Sequence, residues 1–385
     1  MSGRISDFLQ ERIDAGDFPS AVYLIAERGN IAAHEALGHA VVEPEIIKCE
    51  KDTIYDVASL TKVLVTGLLL ARSLSENVLR IEEPVSNYID GFETPEKKDI
   101  LVRNLLAHDS GLQGWLPLYL LTGEPQKILD VITDRPLEYE TGSRVVYSDL
   151  NFLVLQRIVE QLAGESVDRA AVRCIFQPLA LADTGFGPLS GRRRLAAASE
   201  KGNAYEKQTC IDLGYLPGVA EAAPGAPGAP ALHGADLFRK EVIWGEVHDG
   251  NAYFMGGVAG HAGLFSTAEE VLKIAQQFLP NHTTLLSPGM CSIFRTNFTP
   301  GLNEHRSFAF QLASTPESTA GSRMSPESFG HLGFTGTSLW IDPLKERVFI
   351  LLTNRTHNHP LPFTNINSVR RQFHDLGNDL LDGKI

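Results

Sequence analysis

Apolar and polar residues follow two different periods along this chain, and the changes of period outline its elements. Near the N-terminus four apolar residues recur at helical spacing and predict an amphipathic helix: Ile5, Phe8, Leu9 and Ile13. Two apolar runs then flank Gly29-Asn30, a pair that favours a tight turn, and they predict a β-hairpin. Residues 55–74 are dense in Leu, Val and Thr and predict a buried helix together with its lead-in.

Helical patterns dominate the middle of the chain, whereas strands return near the C-terminus. Residues 82–185 contain several helical stretches, among them IEEPVSNYI, ILVRNLLAH and NFLVLQRIVEQLAG, the last of which ends at Gly164. Over 331–354, a strand, the turn LKER and a nearly all-apolar strand predict a second hairpin, whose second strand should be central in its sheet. A last helix is predicted over 366–381.

This order of elements predicts an α+β fold. The sheet is expected to be antiparallel and flanked by helices, with strands from both chain ends and a mainly helical lobe inserted between them. We place the sheet domain at 1–56 and 262–385 and the helical domain at 57–261. Within the helical domain, the Pro-Gly-Ala repeats of 223–232 predict a mobile surface loop, because they suit neither a helix nor a sheet ladder.

Composition narrows the class of protein. The length of 385 residues suits two closely packed lobes, and the net charge of -13 argues against nucleic acid and anionic membranes as partners. The four cysteines form no CxxC, so neither a disulfide framework nor a zinc knuckle is indicated. The N-terminus lacks a signal peptide's apolar core, and residues 63–71 are too few to span a bilayer. We expect a cytoplasmic protein, or a periplasmic one if a leader was removed, and the oligomeric state stays open.

The tetrad Ser59-Leu60-Thr61-Lys62 at the start of the buried helix is the first candidate for chemistry. Its i, i+3 spacing places the Ser59 hydroxyl and the Lys62 ammonium on one helical face. A serine becomes a good nucleophile when a base takes its proton, and a lysine serves as that base when burial and positive potential depress its pKa. Most SxxK tetrads are solvated surface, but apolar flanks surround this one and favour a catalytic role.

Two further polar patterns lie later in the chain. Tyr147-Ser148-Asp149 precedes a helix and offers a phenol that relays a proton and a carboxylate that holds substrate or lysine. The alternative is that Ser148 or Asp149 caps the helix, and both can be true. His331-Leu332-Gly333 opens a late strand, where a small residue lets substrate lie along the strand edge and an amide can donate to an oxyanion. A structural histidine is the alternative there.

Other polar residues give weaker signals. His248, Asp249 and His261 suggest a metal site by residue type, but the GGVAG that precedes His261 favours a loop, so we predict no metal. Asn251 is a candidate for the pocket wall. Arg355 is a candidate for the cleft, with a solvated loop as the alternative.

The stretches ASLTKV, LLAHDSGL, VYSDLNF, GHLGFTG, SLWIDP and VFILLTN resemble, in this order, the serine β-lactamase and penicillin-binding-protein superfamily. The chain is most similar to the class C β-lactamase and family VIII esterase branch, over nearly its whole length. The resemblance implies a β-lactamase/transpeptidase-like fold with Ser59 as the acylated nucleophile, and with Lys62 and Tyr147 sharing the acid–base work. It also implies an oxyanion hole formed by the backbone N–H groups of Ser59 and Phe334.

Two positions depart from the β-lactamase pattern. Asp149 stands where those enzymes have Asn, and His331 stands where they have Lys. The resemblance makes Asp149, His331 and Gly333 the substrate-binding residues, and Asn151 is expected to reach the site from its helix. An alternative register takes Phe334-Thr335-Gly336 as the third motif.

We therefore predict a serine hydrolase that cleaves a carboxylic ester or related acyl bond of a small molecule through an acyl-enzyme on Ser59, without a cofactor. Uncharged short-chain esters are expected to be better substrates than β-lactams, because a neutral His331 and an inward-pointing Asp149 would bind a carboxylate poorly. One alternative is a β-lactamase or a D-amino-acid-specific peptidase of the DD-carboxypeptidase kind, which would use the same residues. The other is a catalytically idle binding homologue.

Overall fold

The computed structural model of the protein describes residues 3–216 and 238–385. The loop predicted at 223–232 lies outside the described residues. The strands are β1 Ser20–Glu27, β2 Asn30–Val41, β3 Ile47–Lys48, β4 Tyr55–Asp56, β5 Gly185–Phe186, β6 Ala198–Lys201, β7 Val242–Trp244, β8 Leu264–Ser266, β9 Gln311–Leu312, β10 Phe329–Leu332, β11 Ser338–Asp342 and β12 Arg347–Thr353.

Most helices lie between β4 and β8, whereas α1 and α11 are at the chain ends and α10 follows β8. They are α1 Gly3–Asp14, α2 Leu68–Ser75, α3 Val102–Leu106, α4 Leu118–Leu121, α5 Ile128–Asp134, α6 Asp149–Ala163, α7 Val167–Ala171, α8 Ala204–Asp212, α9 Gly250–Phe254, α10 Ala268–Ala275 and α11 Asn367–Leu381. A π-helical turn, Lys62–Gly67, runs directly into α2. Within the described ranges, no helix is both long enough and apolar enough to cross a membrane.

The main sheet has seven antiparallel strands in the order β3-β2-β1-β12-β11-β10-β9. The two neighbouring strands at its centre, β1 and β12, come from opposite ends of the chain. Tyr23 of β1 lies opposite Leu351 of β12 on one side and opposite Glu35 of β2 on the other. This arrangement confirms the predicted fold class, an antiparallel sheet flanked by helices. The division into two domains at residues 57 and 261 stays a prediction.

The two faces of the sheet bury alternate residues in two separate cores, as the two-residue period of a strand requires. Tyr23 and Ile25 of β1 pack with α1 and α11, where the Tyr23 and Phe373 rings meet edge to face at 5.9 Å. Val22 and Leu24 point to the opposite face and join the larger core, which also contains the helical region. Because both faces are covered, the central residues of both strands, 21–26 of β1 and 348–352 of β12, are apolar.

Two predictions about local structure are wrong. The stretch predicted as one strand over 331–343 contains parts of two, β10 and β11, joined by a tight turn in which Gly333 N–H donates to the carbonyl of Thr337. The stretch IEEPVSNYI holds only a 3-10 turn, Val85–Asn87, because Pro84 bridges Leu101 in extended conformation and Val85 N–H donates to Ile100. The turn after β10 matters for the site, because it carries Phe334.

Candidate active site

Ser59 lies on a sharp turn between β4 and the buried helix. The preceding residue, Ala58, has a φ of 47°, a left-handed conformation that non-glycine residues rarely adopt. Asp56 holds this turn, since its Oδ1 accepts the Ala58 N–H at 2.8 Å and its Oδ2 accepts the His248 N–H at 2.8 Å. Thr61 adds a 2.6 Å hydrogen bond to the Ala58 carbonyl. The buried turn therefore fixes the position of the hydroxyl that the sequence identified.

Lys62 is fully buried beside Ser59, and its ammonium meets three acceptors. Nζ lies 2.9 Å from Ser59 Oγ, 3.0 Å from the His261 carbonyl oxygen and 2.7 Å from Asp149 Oδ1. Three acceptors match the three N–H donors of an ammonium group. The site is therefore built to hold a protonated lysine in contact with the nucleophile.

The pKa of Lys62 differs in direction from the sequence prediction. Burial alone would lower the pKa, as predicted, but the Asp149 carboxylate and Tyr147 more than offset the burial and raise the pKa of Lys62 above its ordinary value. The expectation of a depressed lysine pKa is therefore wrong for the unliganded protein. Sequence reasoning missed this because it left open whether Asp149 faces substrate or pairs with Lys62.

Tyr147 stands over the same ammonium, with its ring centroid 5.0 Å from Lys62 Nζ. Burial raises the pKa of the phenol, while Lys62 and a hydrogen bond to Ser59 lower it in part. His108, which sequence analysis did not single out, positions this tyrosine. Its Nδ1 accepts the N–H of Ser148 at 3.0 Å and its ring lies 4.7 Å from that of Tyr147.

The predicted helix cap is also present. The Ser148 hydroxyl accepts the Asn151 N–H at the start of α6, so this segment both caps a helix and carries site residues. Asn151 itself is fully buried, and its Oδ1 accepts a 2.7 Å hydrogen bond from Ser110. Asn151 does not line the cavity at Ser59, contrary to the expectation that it reaches the site.

The turn after β10 is held against the lead-in to Ser59. Thr335 Oγ1 donates to the Asp56 carbonyl at 2.8 Å, and Thr337 Oγ1 donates to the Val57 carbonyl at 3.0 Å. A Cβ on Gly333 would overlap Thr337 and the Val57 carbonyl, so a small residue is needed at this position. The turn that carries Phe334 is therefore packed against the backbone that leads into Ser59.

The amides of Ser59 and Phe334 are the two groups that the resemblance assigns to an oxyanion hole. In the parts of the chain that the structure describes, neither N–H donates to a protein acceptor. His331, Leu332, Gly333 and Phe334 all line the cavity at Ser59, whereas Thr335 is turned into the protein. This placement favours His331-Leu332-Gly333 over the alternative register.

His331 is buried and neutral. Burial, together with the nearby charges of Lys62 and Arg306, holds the pKa of the imidazole well below its ordinary value. Its Nδ1–H donates to the Leu332 carbonyl at 2.9 Å, which leaves Nε2 as an acceptor, and its ring lies 5.7 Å from that of Tyr147.

The cavity above Ser59 has a volume of about 720 Å³. Six of the predicted residues line it: Ser59, Tyr147, Asp149, His331, Gly333 and Phe334. Lys62 lies directly beneath Ser59. The structure thus gathers the three sequence motifs in one cleft, which is the arrangement that acyl transfer needs: a nucleophile, adjacent proton carriers and free amide donors.

Comparisons with known proteins identify the family. The sequence profile of the Beta-lactamase family matches residues 5–371. The chain belongs to the Beta-lactamase family. An Escherichia coli K12 protein, named provisionally as a D-alanyl-D-alanine carboxypeptidase, is 29% identical over 379 residues, which cover 91% of this chain and 81% of the relative.

Solved structures agree in fold. The octameric penicillin-binding protein homologue from Pyrococcus abyssi superposes with a TM-score of 0.72 at 17% identity, covering 99% of this chain and 77% of that one. EstCE1, a hydrolase with promiscuous acyltransferase activity, gives a TM-score of 0.71 at 21% identity, covering 97% and 98%. The protein is thus a Beta-lactamase-family hydrolase of the serine β-lactamase and penicillin-binding-protein superfamily.

Three arginines in the cavity wall of this Beta-lactamase-family protein change the predicted charge of the site. Arg306 and Arg370 were not singled out in the sequence, and Arg355 was a candidate. Asp149 pairs with Lys62, so its charge is balanced within the site. The expectation that an inward-pointing Asp149 would repel a carboxylate is therefore wrong, and the predicted preference for esters stays a prediction.

Two aspartates and a histidine form a cluster near Lys62. Ligand atoms of Asp149, Asp249 and His261 lie within 4.8 Å of one another. Each carboxylate already has a partner, since Asp149 meets Lys62 and Asp249 Oδ1 lies 2.9 Å from His261 Nε2. His248 pairs instead with Glu200 at 2.8 Å. These contacts are ion pairs and hydrogen bonds, and they support the residues around Lys62.

Proposed function

We propose that this protein is a serine hydrolase that cleaves a carboxylic ester or related acyl bond through a covalent acyl-enzyme on Ser59. The observation that carries the proposal is the 2.9 Å contact between Ser59 Oγ and buried Lys62 Nζ, with Tyr147 above it. A hydroxyl in contact with a buried amine is suited to nucleophilic attack on a carbonyl, and two unpaired amides are suited to stabilise the oxyanion that forms.

In the first step, Ser59 Oγ attacks the carbonyl carbon while its proton passes to Lys62, which must be neutral at that moment. The amides of Ser59 and Phe334 stabilise the negative charge that develops on the carbonyl oxygen. The bond to the leaving group then breaks, and Lys62 or Tyr147 protonates the departing oxygen or nitrogen. The products are a free alcohol or amine and an ester on Ser59.

In the second step, water attacks the acyl-enzyme carbonyl and gives a proton to the same pair of residues. Collapse of the tetrahedral species releases the carboxylic acid and returns the proton to Ser59 Oγ. Each residue ends in its starting state, and the sum of the two steps is hydrolysis of one acyl bond.

A second candidate is a peptidase that releases a D-amino acid. Arg355 in the cavity wall favours it, because a guanidinium group binds the terminal carboxylate that such a peptide carries. Arg306 and Arg370 also line the cavity, but Arg306 already pairs with Glu304 and Arg370 donates to the carbonyls of Gly333 and Thr337. The provisional name of the Escherichia coli relative agrees with this candidate.

Steady-state assays separate the candidates. Hydrolysis of p-nitrophenyl butyrate, release of D-alanine from an acyl-D-Ala-D-Ala peptide, and nitrocefin hydrolysis are measured for the native chain and for Ser59→Ala. The proposal expects Ser59-dependent turnover with the highest kcat/KM for the ester. A higher kcat/KM for the peptide supports the second candidate, and no Ser59-dependent turnover of any substrate supports a binding homologue.

A further inference from the structure

We propose that the cavity contains an acyl-binding subsite formed by an aromatic wall, and that the preferred substrates carry an uncharged aromatic acyl group. The aromatic wall is defined as Tyr205, Phe334 and Phe363. The inference rests on the proposed function, because it concerns the acyl group that Ser59 would carry.

The aromatic wall begins at the oxyanion hole. Phe334 is the residue whose amide would serve as an oxyanion donor, and its ring lies 4.9 Å from that of Tyr205 and 6.0 Å from that of Phe363. Tyr205 and Phe363 stack at 5.6 Å with an interplanar angle of 23°. Tyr205 and Phe334 line the cavity and Phe363 packs against both, so a carbonyl held at the Phe334 amide has its substituent next to this wall.

Two large side chains that line the cavity, one of the aromatic wall and one outside it, are exposed. Tyr205 is 37% exposed and Leu213, which follows α8, is 59% exposed, and both line the cavity. Large apolar side chains left open in a concave wall are typical of ligand sites, because a ligand that covers them gains the free energy of burial.

A hydrogen bond and side-chain contacts hold the aromatic wall in place. Tyr205 N–H donates to Glu200 Oε1 at 2.8 Å at the start of α8. On its other faces Phe334 stacks against His248 at 5.3 Å and lies under the Arg355 guanidinium, 5.1 Å from its ring centroid. The subsite is therefore preformed, so an acyl group can enter it without rearrangement of the wall.

The wall lies on the acyl side of the reacting carbonyl. The leaving atom must receive a proton and therefore departs towards Tyr147 and Lys62. The Tyr147 ring contacts the rings of His108 and His331. Phe334 contacts a different set of rings, those of Tyr205, His248 and Phe363. With the leaving group on the Tyr147 side, the acyl substituent extends along the aromatic wall.

The test compares p-nitrophenyl phenylacetate with p-nitrophenyl acetate, which share a leaving group and differ in the acyl group. Each kcat/KM is divided by the rate constant for hydroxide-catalysed hydrolysis to remove intrinsic reactivity. We expect the corrected phenylacetate-to-acetate ratio to exceed about tenfold, because an aromatic ring is buried on binding.

Tyr205→Ala is expected to lower this ratio on the order of tenfold. Tyr205→Phe, which keeps the ring and removes only the hydroxyl, should keep the native ratio within about twofold. A thermal melt of each variant shows whether the fold is intact, and Leu213→Ser offers a second test at an exposed position.

Failure of the inference differs from failure of the proposed function. If Ser59 is acylated and acetate is turned over, but the corrected ratio is near one or is unchanged in Tyr205→Ala and Leu213→Ser, the acyl-subsite inference is overturned alone. If neither ester is turned over and no acyl adduct forms on Ser59, the proposed function is overturned and the inference with it.

Discussion

The carboxylate of Asp149 lies 2.7 Å from the ammonium of Lys62, directly below the candidate nucleophile. This ion pair fixes the resting protonation of the site, because it raises the lysine pKa in spite of burial. A lysine that holds its proton cannot accept another from Ser59. The proposed first step therefore requires loss of that proton, and the pH dependence of turnover should report it.

We expect kcat/KM for an uncharged ester to rise with pH from neutral into the alkaline range. In Asp149→Asn the carboxylate that raises the pKa is removed while the burial that lowers it remains. The lysine then becomes neutral at lower pH, so the rise should move to lower pH. The control is Asp130→Asn, the same chemical change at an exposed position. An unmoved profile in Asp149→Asn would remove Lys62 from the role of base.

Tyr147→Phe tests the second proton carrier. The change removes only the hydroxyl, and the ring contact with His108 can remain. We expect kcat to fall on the order of a hundredfold or more, the usual effect of losing an acid–base group. Acylation and deacylation are measured separately by stopped flow. A rise in KM with kcat unchanged would show that Tyr147 binds substrate instead of moving protons.

Gly333→Ala tests the position of the turn after β10. The added Cβ would overlap Thr337 and the Val57 carbonyl, so the turn must move away from Ser59 and take the Phe334 amide with it. We expect a loss of about 1–3 kcal/mol of stability and a lower kcat. Gly289→Ala is the matched control, since its Cβ meets no atom within 4 Å. Equal activity of the two variants would argue against the Phe334 amide as an oxyanion donor.

The buried pair of His248 and Glu200 predicts a pH-dependent stability. Burial would lower the pKa of His248, but the hydrogen bond and charge of Glu200 outweigh it and raise the pKa. At pH values below the pKa of the unfolded imidazole, about 6.5, the pair therefore contributes all of its stabilisation of the folded state. This stabilisation is lost as the pH rises through the pKa of His248 in the folded protein. Thermal melts of Glu200→Gln and the native chain should differ more at about pH 6 than at about pH 9. An equal difference at both pH values would show that Glu200 acts only as a hydrogen-bond partner.

The sequence predicted the elements whose determinants are local. Ser59 and Lys62 are one helical turn apart, so their contact follows from spacing, and the apolar β1 and β12 follow from burial on both faces. The turn after β10 was missed, because Gly333 and Gly336 were taken as part of a continuous strand.

Long-range contacts were beyond sequence reasoning. Whether Asp149 faces substrate or Lys62 depends on how α6 packs against the buried helix, which no local pattern reports. Arg306 comes from a segment without a motif, and Tyr205 lies on a helix with a weak apolar pattern. These residues become part of the site only when the chain folds around the cavity.

The central claim, that Ser59 is the nucleophile, is tested most directly by intact-mass measurement after treatment with a fluorophosphonate. The native chain should gain the mass of one phosphonyl group, and peptide mapping should place it on Ser59. Ser59→Ala should gain none under the same conditions. Equal labelling of the native chain and Ser59→Ala, or a label mapped to another residue, would contradict the account.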